Sequence, residues 1–211
     1  MQDIIATLVE GVAQTSLWEW AAVITGLIYL ALAMRENNLC WLFAFVSTVI
    51  YTLLFWDVNL LMDSALNVYY MLMAVYGWWY WRHGGLAHGQ SLNSQALIRR
   101  WPLFRHGLAL IGVLLATALS GYLMTRHTDA AWPYVDSFTT WASVLTTWMV
   151  AQKILENWLY WIVIDAVSLV LYVDRGLYLT ALLFAAYVII VIFGFFNWLK
   201  SYRAADISSN A

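Results

Sequence analysis

Seven apolar runs, each long enough to cross a bilayer, leave this chain few ways to fold. They cover roughly residues 17–34, 39–56, 60–80, 107–125, 134–151, 157–173 and 177–198. Hydrocarbon offers the backbone no hydrogen-bond partner, so a spanning segment of about 20 apolar residues must satisfy itself as a helix. The chain therefore reads as an all-α membrane protein with seven transmembrane helices. Its composition agrees, being 64% hydrophobic and 10% charged, against about 25% charged in soluble domains. The few charges sit in loops, so the formal net charge of −2 says nothing about partners. No basic groove interleaved with aromatics suggests a nucleic acid. One cysteine, Cys40, excludes an internal disulfide and reads as a small apolar residue. The N-terminus has no cleavable signal pattern, so the first span is expected to stay in the mature protein.

Residues 1–16 are mixed in polarity and read as an extracytoplasmic N-terminal tail, with a short amphipathic surface helix as the other option. The long connection, 82–106, is rich in Gly, Ser, Asn and Arg and reads as a polar cytoplasmic loop; residues 199–211 read as a cytoplasmic tail. Lys and Arg placement sets the orientation. Arg126 and Arg175 fall on one side, and Arg35, Arg82, Arg99, Arg100, Arg105, Lys153, Lys200 and Arg203 on the other. That bias puts the N-terminus outside and the C-terminus in the cytoplasm. Trp18, Trp20, Trp78, Tyr80, Trp81 and Trp198 lie near span ends, where an interfacial belt accounts for them.

The span Asn157–Tyr172 carries a polar stripe. Asn157, Trp161, Asp165, Ser168 and Tyr172 are spaced four, four, three and four residues apart, which places all five on one helix face. Asp165 lies near mid-span, where a carboxylate costs about 2.5–3.5 kcal/mol on insertion scales and normally faces a cavity or a partner. No Lys, Arg or His sits at membrane depth to pair with it. A cationic solute or its own protonation is left. Trp161, one turn away, offers a π face to a flat cationic ring, and Asn157 and Asn67 offer hydrogen bonds. Asp63, Asn67 and Tyr70 form a second stripe on the third span, and Asp136, Thr140, Ser143 and Thr147 a third on the fifth. For each Ser or Thr, the plainer role is a hydrogen bond within or between helices; for Asp136 it is a helix N-cap.

An internal repeat organises these stripes. Glu36-Asn37-Asn38-Leu39-Cys40-Trp41 matches Glu156-Asn157-Trp158-Leu159-Tyr160-Trp161 as E-N-x-L-x-W. Ser47 and Tyr51 echo Ser168 and Tyr172, and Gly77-x-x-x-Trp81 echoes Gly194-x-x-x-Trp198. This register sets Trp41 against Trp161 and Phe45 against Asp165. Residues 17–81 and 134–198 are thus expected to be two parallel three-helix repeats joined by a linking helix at 107–125, a transporter architecture.

Other seven-helix readings fare worse. A retinal photoreceptor needs a lysine inside the last span, and residues 177–198 have none. An intramembrane hydrolase needs a Ser–His or metal-ligand set at depth, and His83, His88, His106 and His127 are all expected in loops. No phosphate-binding Gly-rich loop is present. Neither a catalytic residue, a metal site nor a cofactor is expected. A membrane receptor or sensor is the reading from another class, separable from a carrier by solute flux into sealed vesicles.

The runs E-N-W-L-Y-W-I-V-I-D-A-V-S, L-L-M-D-S-A-L-N-V-Y-Y with Y-G-W-W-Y-W, and R-G-L-Y-L-T-A-L-L-F resemble the PnuC family of bacterial B-group vitamin transporters. The resemblance extends from Trp18 to Trp198. It implies a 3+1+3 helix fold related to the SWEET sugar transporters, residence in the bacterial inner membrane and a homotrimer. It also implies facilitated diffusion, with a separate cytoplasmic vitamin kinase trapping the product. Members carry nicotinamide riboside, thiamine or riboflavin. The nicotinamide riboside branch has W-x-x-x-N on helix six and a Gln in helix three; the matching positions here are Trp161, Asp165 and Asn67. Asn has become Asp and Gln a shorter Asn, and the sequence looks more like the thiamine-carrying branch. The expected substrate-binding set is Trp161, Asp165, Asn157, Ser168, Tyr172, Asn67, Tyr70, Trp41, Asp136, Thr140 and Ser143.

Overall fold

A computed structural model describes residues 15–57, 61–84, 96–128, 132–174 and 176–209. Most of the expected N-terminal tail and the stretch 85–95, with His88, lie outside them. Among the described residues the fold is seven helices: α1 (Leu17–Ala33), α2 (Cys40–Asp57), α3 (Leu61–His83), α4 (Leu103–His127), α5 (Pro133–Ala151), α6 (Asn157–Asp174) and α7 (Tyr178–Ser209). Helices α2, α4, α6 and α7 are long and apolar enough to cross a membrane, and α1 is a shorter apolar helix. Helices α3 and α5 are the polar ones, because they carry Asp63, Ser64 and Asn67, and Asp136, Thr139, Thr140, Ser143, Thr146 and Thr147. Several of these hydroxyls are satisfied inside their own helix: Thr140 Oγ1 donates to the Asp136 carbonyl at 2.8 Å and Thr146 Oγ1 to the Ala142 carbonyl at 2.7 Å.

Boundaries depart from expectation where apolar periodicity is a poor guide. Helix α7 runs past Trp198 to Ser209, since no Gly or Pro stops it. Helix α4 starts at Leu103, directly after Pro102, and takes in Arg105 and His106. His83 and His127 close α3 and α4, so these three histidines lie at helix ends rather than in loops. The end of the 82–106 connection is also built in. Ala96 and Ile98 are buried. The Arg99 N–H donates to the Lys153 carbonyl at 2.9 Å and the Leu155 N–H to the Arg99 carbonyl at 2.8 Å. An apolar Ala-Leu-Ile triplet inside a polar stretch is what tucks it inward.

The α1–α2 and α5–α6 turns are the same structure twice. The Glu36 N–H donates to the Ala33 carbonyl and the Lys153 N–H to the Val150 carbonyl; Asn37 donates to Leu32 and Ile154 to Met149; Cys40 donates to Asn37 and Asn157 to Ile154. Glu36 and Lys153 share a left-handed backbone, with φ of 54° and 52°. Every equivalence is separated by 117 residues (153 minus 36, 150 minus 33, 157 minus 40). The E-N-x-L-x-W match implied 120, so that expectation is corrected: in the turns' register Trp41 corresponds to Trp158, not Trp161, and Asp165 to Thr48. The letters misled because Glu36 stands at the left-handed turn position, whereas Glu156 stands three residues past it.

The same interval governs the core. Trp41 packs edge-on against Trp81 with ring centres 5.3 Å apart, and Trp158 against Trp198 at 5.4 Å. Trp81 and Trp198 meet at 5.8 Å. Trp81 Nε1 donates to the Val150 carbonyl at 3.3 Å, and Trp198 Nε1 to the Ala33 carbonyl at 2.9 Å. Each hydrogen bond is the counterpart of the other. Beside them the equivalent residues Glu36 and Lys153 form an ion pair of 2.9 Å, with the Lys153 ammonium 4.7 Å from the Trp81 ring centre. Glycine makes the packing possible. A Cβ on Gly77 would lie 2.3 Å from the Trp41 ring, and one on Gly194 would lie 2.5 Å from the Trp158 ring. Both rings are almost wholly buried and cannot swing away. Gly194→Ala is therefore expected to cost about 1–3 kcal/mol, read as a lower melting temperature in detergent; an unchanged melting temperature would show that the ring is not wedged.

Candidate functional site

Helix α6 is the spine of the site. The α5–α6 turn starts it at Asn157, which puts Trp158, Trp161, Asp165, Ser168 and Tyr172 on the side facing α1, α3, α5 and α7. They border a cavity of about 330 Å³, within the range of about 300–1,000 Å³ typical of small-molecule sites. One end lies at Asp63 in the first turn of α3 and Tyr172 in the last turns of α6. The other is floored by Val150 and Trp158, against the tryptophan cluster. A larger cleft of about 560 Å³ behind α6 opens sideways; it contains no residue of this stripe and shares only Ile164 with the cavity.

Asp165 is the electrostatic centre. Its residue is 4% exposed, and its carboxylate has no hydrogen-bond or ion-pair partner among the described residues. A buried carboxylate in that position is costly until something positive or protonated arrives. Around it the wall is aromatic: Trp161 from the same face, Tyr29 from α1, Tyr70 from α3, and Tyr187 and Phe184 from α7. Phe184 stacks on Tyr172 at 5.2 Å and meets Tyr187 edge-on at 5.6 Å. Tyr70 and Tyr187 are themselves 117 residues apart, so the two halves of the chain each supply one tyrosine from matching positions.

Of the expected site residues, Trp161, Asp165, Ser168, Tyr172, Tyr70, Thr140 and Ser143 border this cavity. Four do not. Trp41 lies in the tryptophan cluster, stacked over Gly77. Asn157 is fully buried at the start of α6, where its Nδ2 donates to the Ile154 carbonyl at 2.6 Å. Asn67 turns back on its own helix, donating to the Asp63 carbonyl at 2.9 Å. Asp136 sits near the start of α5, away from the cavity lining. The sequence reading missed Gly26, Tyr29, Thr139, Trp158 and Tyr187. A register of 117 would have pointed to Tyr187 as the mate of Tyr70; nothing in the local pattern marks Gly26 or Tyr29. No group of three His, Cys, Asp or Glu among the described residues is placed to hold a metal ion.

An all-helical, multi-pass membrane protein with an acid and an aromatic wall around an interhelical cavity has the form of a solute transporter. A family model for the nicotinamide mononucleotide transporter matches residues 16–200, and the chain belongs to that family. It is 24% identical to the nicotinamide riboside transporter PnuC of Escherichia coli, over 88% of this chain and 86% of that one. It is 23% identical to the riboflavin/roseoflavin transporter RibM of Streptomyces davaonensis, over 85% and 84%. The crystal structure of a vitamin B3 transporter PnuC superposes with a TM-score of 0.72 at 18% identity, covering 95% of this chain and 88% of that chain, and so shares its fold. The chain is thus a transporter and not an enzyme.

Proposed function

We propose that this protein carries a cationic pyridine nucleoside of the nicotinamide riboside kind across the membrane by facilitated diffusion. The observation that carries the reading is the buried Asp165 carboxylate, without a partner among the described residues, opening with Trp161 onto the cavity. A flat cationic ring stacked on Trp161 supplies the missing counter-charge, and cation–π contact adds up to about 2 kcal/mol when desolvated. The names of the relatives favour nicotinamide riboside over the thiamine expected from Asp165 and Asn67. Asn67 directs its Nδ2 to its own helix and does not border the cavity.

The architecture in this proposal is two parallel three-helix units, α1–α3 and α5–α7, joined by α4. The interval of 117 residues between the turns, the tryptophan pairs and the reciprocal Trp81 and Trp198 hydrogen bonds supports it. So does the packing of α3 on α5 and of α7 on α1, with α4 held by α5. With the N-terminus outside, the tryptophan cluster and the Glu36–Lys153 pair lie at the cytoplasmic end, and the cavity runs from the outer helix ends down to them. The two units rock about that cluster to release solute inward. Nothing in the chain supplies energy, so flux follows the gradient, a cytoplasmic vitamin kinase traps the product, and three copies assemble in the membrane.

Titrating the purified protein with nicotinamide riboside, thiamine and riboflavin by tryptophan fluorescence tests the substrate. Nicotinamide riboside is expected to bind tightest. A tighter thiamine complex would move the assignment to that vitamin, and tightest binding by uncharged riboflavin would remove the cation from the account. In the same titration Trp161→Leu is expected to weaken binding by about tenfold, and a normal affinity would reduce Trp161 to packing. Flux of nicotinamide riboside into sealed proteoliposomes separates a carrier from a receptor.

A further inference from the structure

The interval of 117 residues that relates the two turns also pairs residues around the cavity, and there the match breaks. Tyr70 of α3 corresponds to Tyr187 of α7, and both border the cavity near enough to Asp165 to feel its charge. The residue beside Tyr70 on α5 is Ser143, whose hydroxyl is its hydrogen-bond partner. At the same interval from Ser143 stands Gly26 of α1, which borders the cavity beside Tyr187. One tyrosine thus meets a hydroxyl, and its counterpart meets an empty place.

That difference leaves the Tyr187 hydroxyl without a hydrogen-bond partner among the described residues. The ring itself is held, since Phe184 meets it edge-on at 5.6 Å. A Cβ on Gly26 would stand 3.9 Å from the Tyr187 hydroxyl oxygen and 3.3 Å from Ser47 Oγ. Ser47 closes the wall behind Gly26 and donates its own proton to the Ala22 carbonyl at 2.9 Å. The group that satisfies Tyr187 therefore comes from the cavity side. A tyrosine hydroxyl among rings is costly to leave unpaired, so this one discriminates between solutes that offer it an oxygen and solutes that do not.

We propose that Tyr187 and Gly26 form a subsite for the sugar of the transported nucleoside: the Tyr187 hydroxyl donates to a sugar oxygen seated in the space that Gly26 leaves open. The inference rests on the nucleoside reading above and assigns the part of the solute that Trp161 and Asp165 do not read. The order of residues along the cavity fits. Helix α6 runs from Trp158 at the floor to Tyr172 at the mouth, so Trp161 lies deeper than Asp165. Tyr187 lies on the mouth side, in contact with Phe184, which stacks on Tyr172. A ring seated on Trp161 beside Asp165 thus directs its sugar outward, to Tyr187.

The test is calorimetric titration of the purified full chain with nicotinamide riboside and with 1-methylnicotinamide, which keeps the cationic ring and carries a methyl group in place of the sugar. The wild type is expected to bind the nucleoside about tenfold more tightly. Tyr187→Phe is expected to weaken nucleoside binding about fivefold and to leave 1-methylnicotinamide binding unchanged. Gly26→Ser rebuilds the arrangement that Ser143 makes with Tyr70, and is expected to have the same selective effect. Its unchanged affinity for 1-methylnicotinamide would show the site intact. Equal affinity of the wild type for the two ligands overturns the subsite and leaves the cation site standing. So does a Tyr187→Phe variant that loses both ligands alike or neither, or a Gly26→Ser variant with normal nucleoside binding. A wild type that binds neither ligand refutes the nucleoside reading itself, and the subsite with it.

Discussion

Asp165→Asn is expected to weaken binding of nicotinamide riboside by a factor of ten or more while leaving the protein at least as stable as before. The two effects have one cause. Asp165 is 4% exposed and has no protein partner among the described residues, so in the empty protein its charge carries a desolvation cost with no return. Asn keeps the shape and removes the charge, which relieves part of the about 2.5–3.5 kcal/mol that an acid costs at mid-span. With a cationic ring bound, the ledger reverses: the carboxylate is then the counter-ion, and a desolvated charge pair exceeds the 1.4 kcal/mol of a tenfold change. Calorimetric titration reads the first effect and thermal unfolding in detergent the second. A lowered melting temperature with unchanged affinity would make Asp165 a packing residue.

The second large effect lies at the other end of the molecule. Lys153 is 3% exposed, and among the described residues it meets its counter-charge in Glu36, whose side chain is 25% exposed, with the Trp81 ring beside the ammonium. Removing one partner of a fully buried pair leaves an uncompensated charge and costs about 3–5 kcal/mol, an upper bound here because Glu36 is partly exposed, whereas replacing both with neutral groups is close to neutral. Glu36→Gln is therefore expected to lower the melting temperature sharply, and Glu36→Gln with Lys153→Met to recover most of the loss. A double variant as unstable as the single one would show that the pair's geometry, rather than its charge balance, holds the α1–α2 and α5–α6 turns together.

How much of this was legible from the sequence depended on the length scale of the signal. Seven apolar runs mark the seven helices, four of them long and apolar enough to cross a membrane, and the helix ends fall within a few residues wherever a polar group or Pro punctuates them. The stripe Trp161, Asp165, Ser168, Tyr172 was readable because helical period alone puts it on one face. Asn157 shares that period but not that fate, since at the first residue of a helix an amide finds backbone carbonyls closer than any cavity. Asn67 likewise turns its Nδ2 back to the Asp63 carbonyl and does not border the cavity. The repeat was visible, and of its matches the Gly77-x-x-x-Trp81 and Gly194-x-x-x-Trp198 pair already stood in the register that the turns keep. The E-N-x-L-x-W letters favoured 120 residues, whereas packing keeps 117, because the fold matches positions by backbone geometry and lets Glu36 face Lys153 across the join. Tyr29 and Gly26 reach the cavity from α1 only through tertiary packing, which no single-helix pattern encodes.

The central claim is that a buried acid reads the positive charge of the transported ring. The most direct measurement compares the affinity of nicotinamide riboside with that of its reduced, uncharged dihydro form, for the wild type and for Asp165→Asn. The account predicts that the wild type prefers the cation by about tenfold or more and that the variant loses this preference. Equal affinity for the two forms in the wild type, or a preference that survives the loss of the carboxylate, would contradict it.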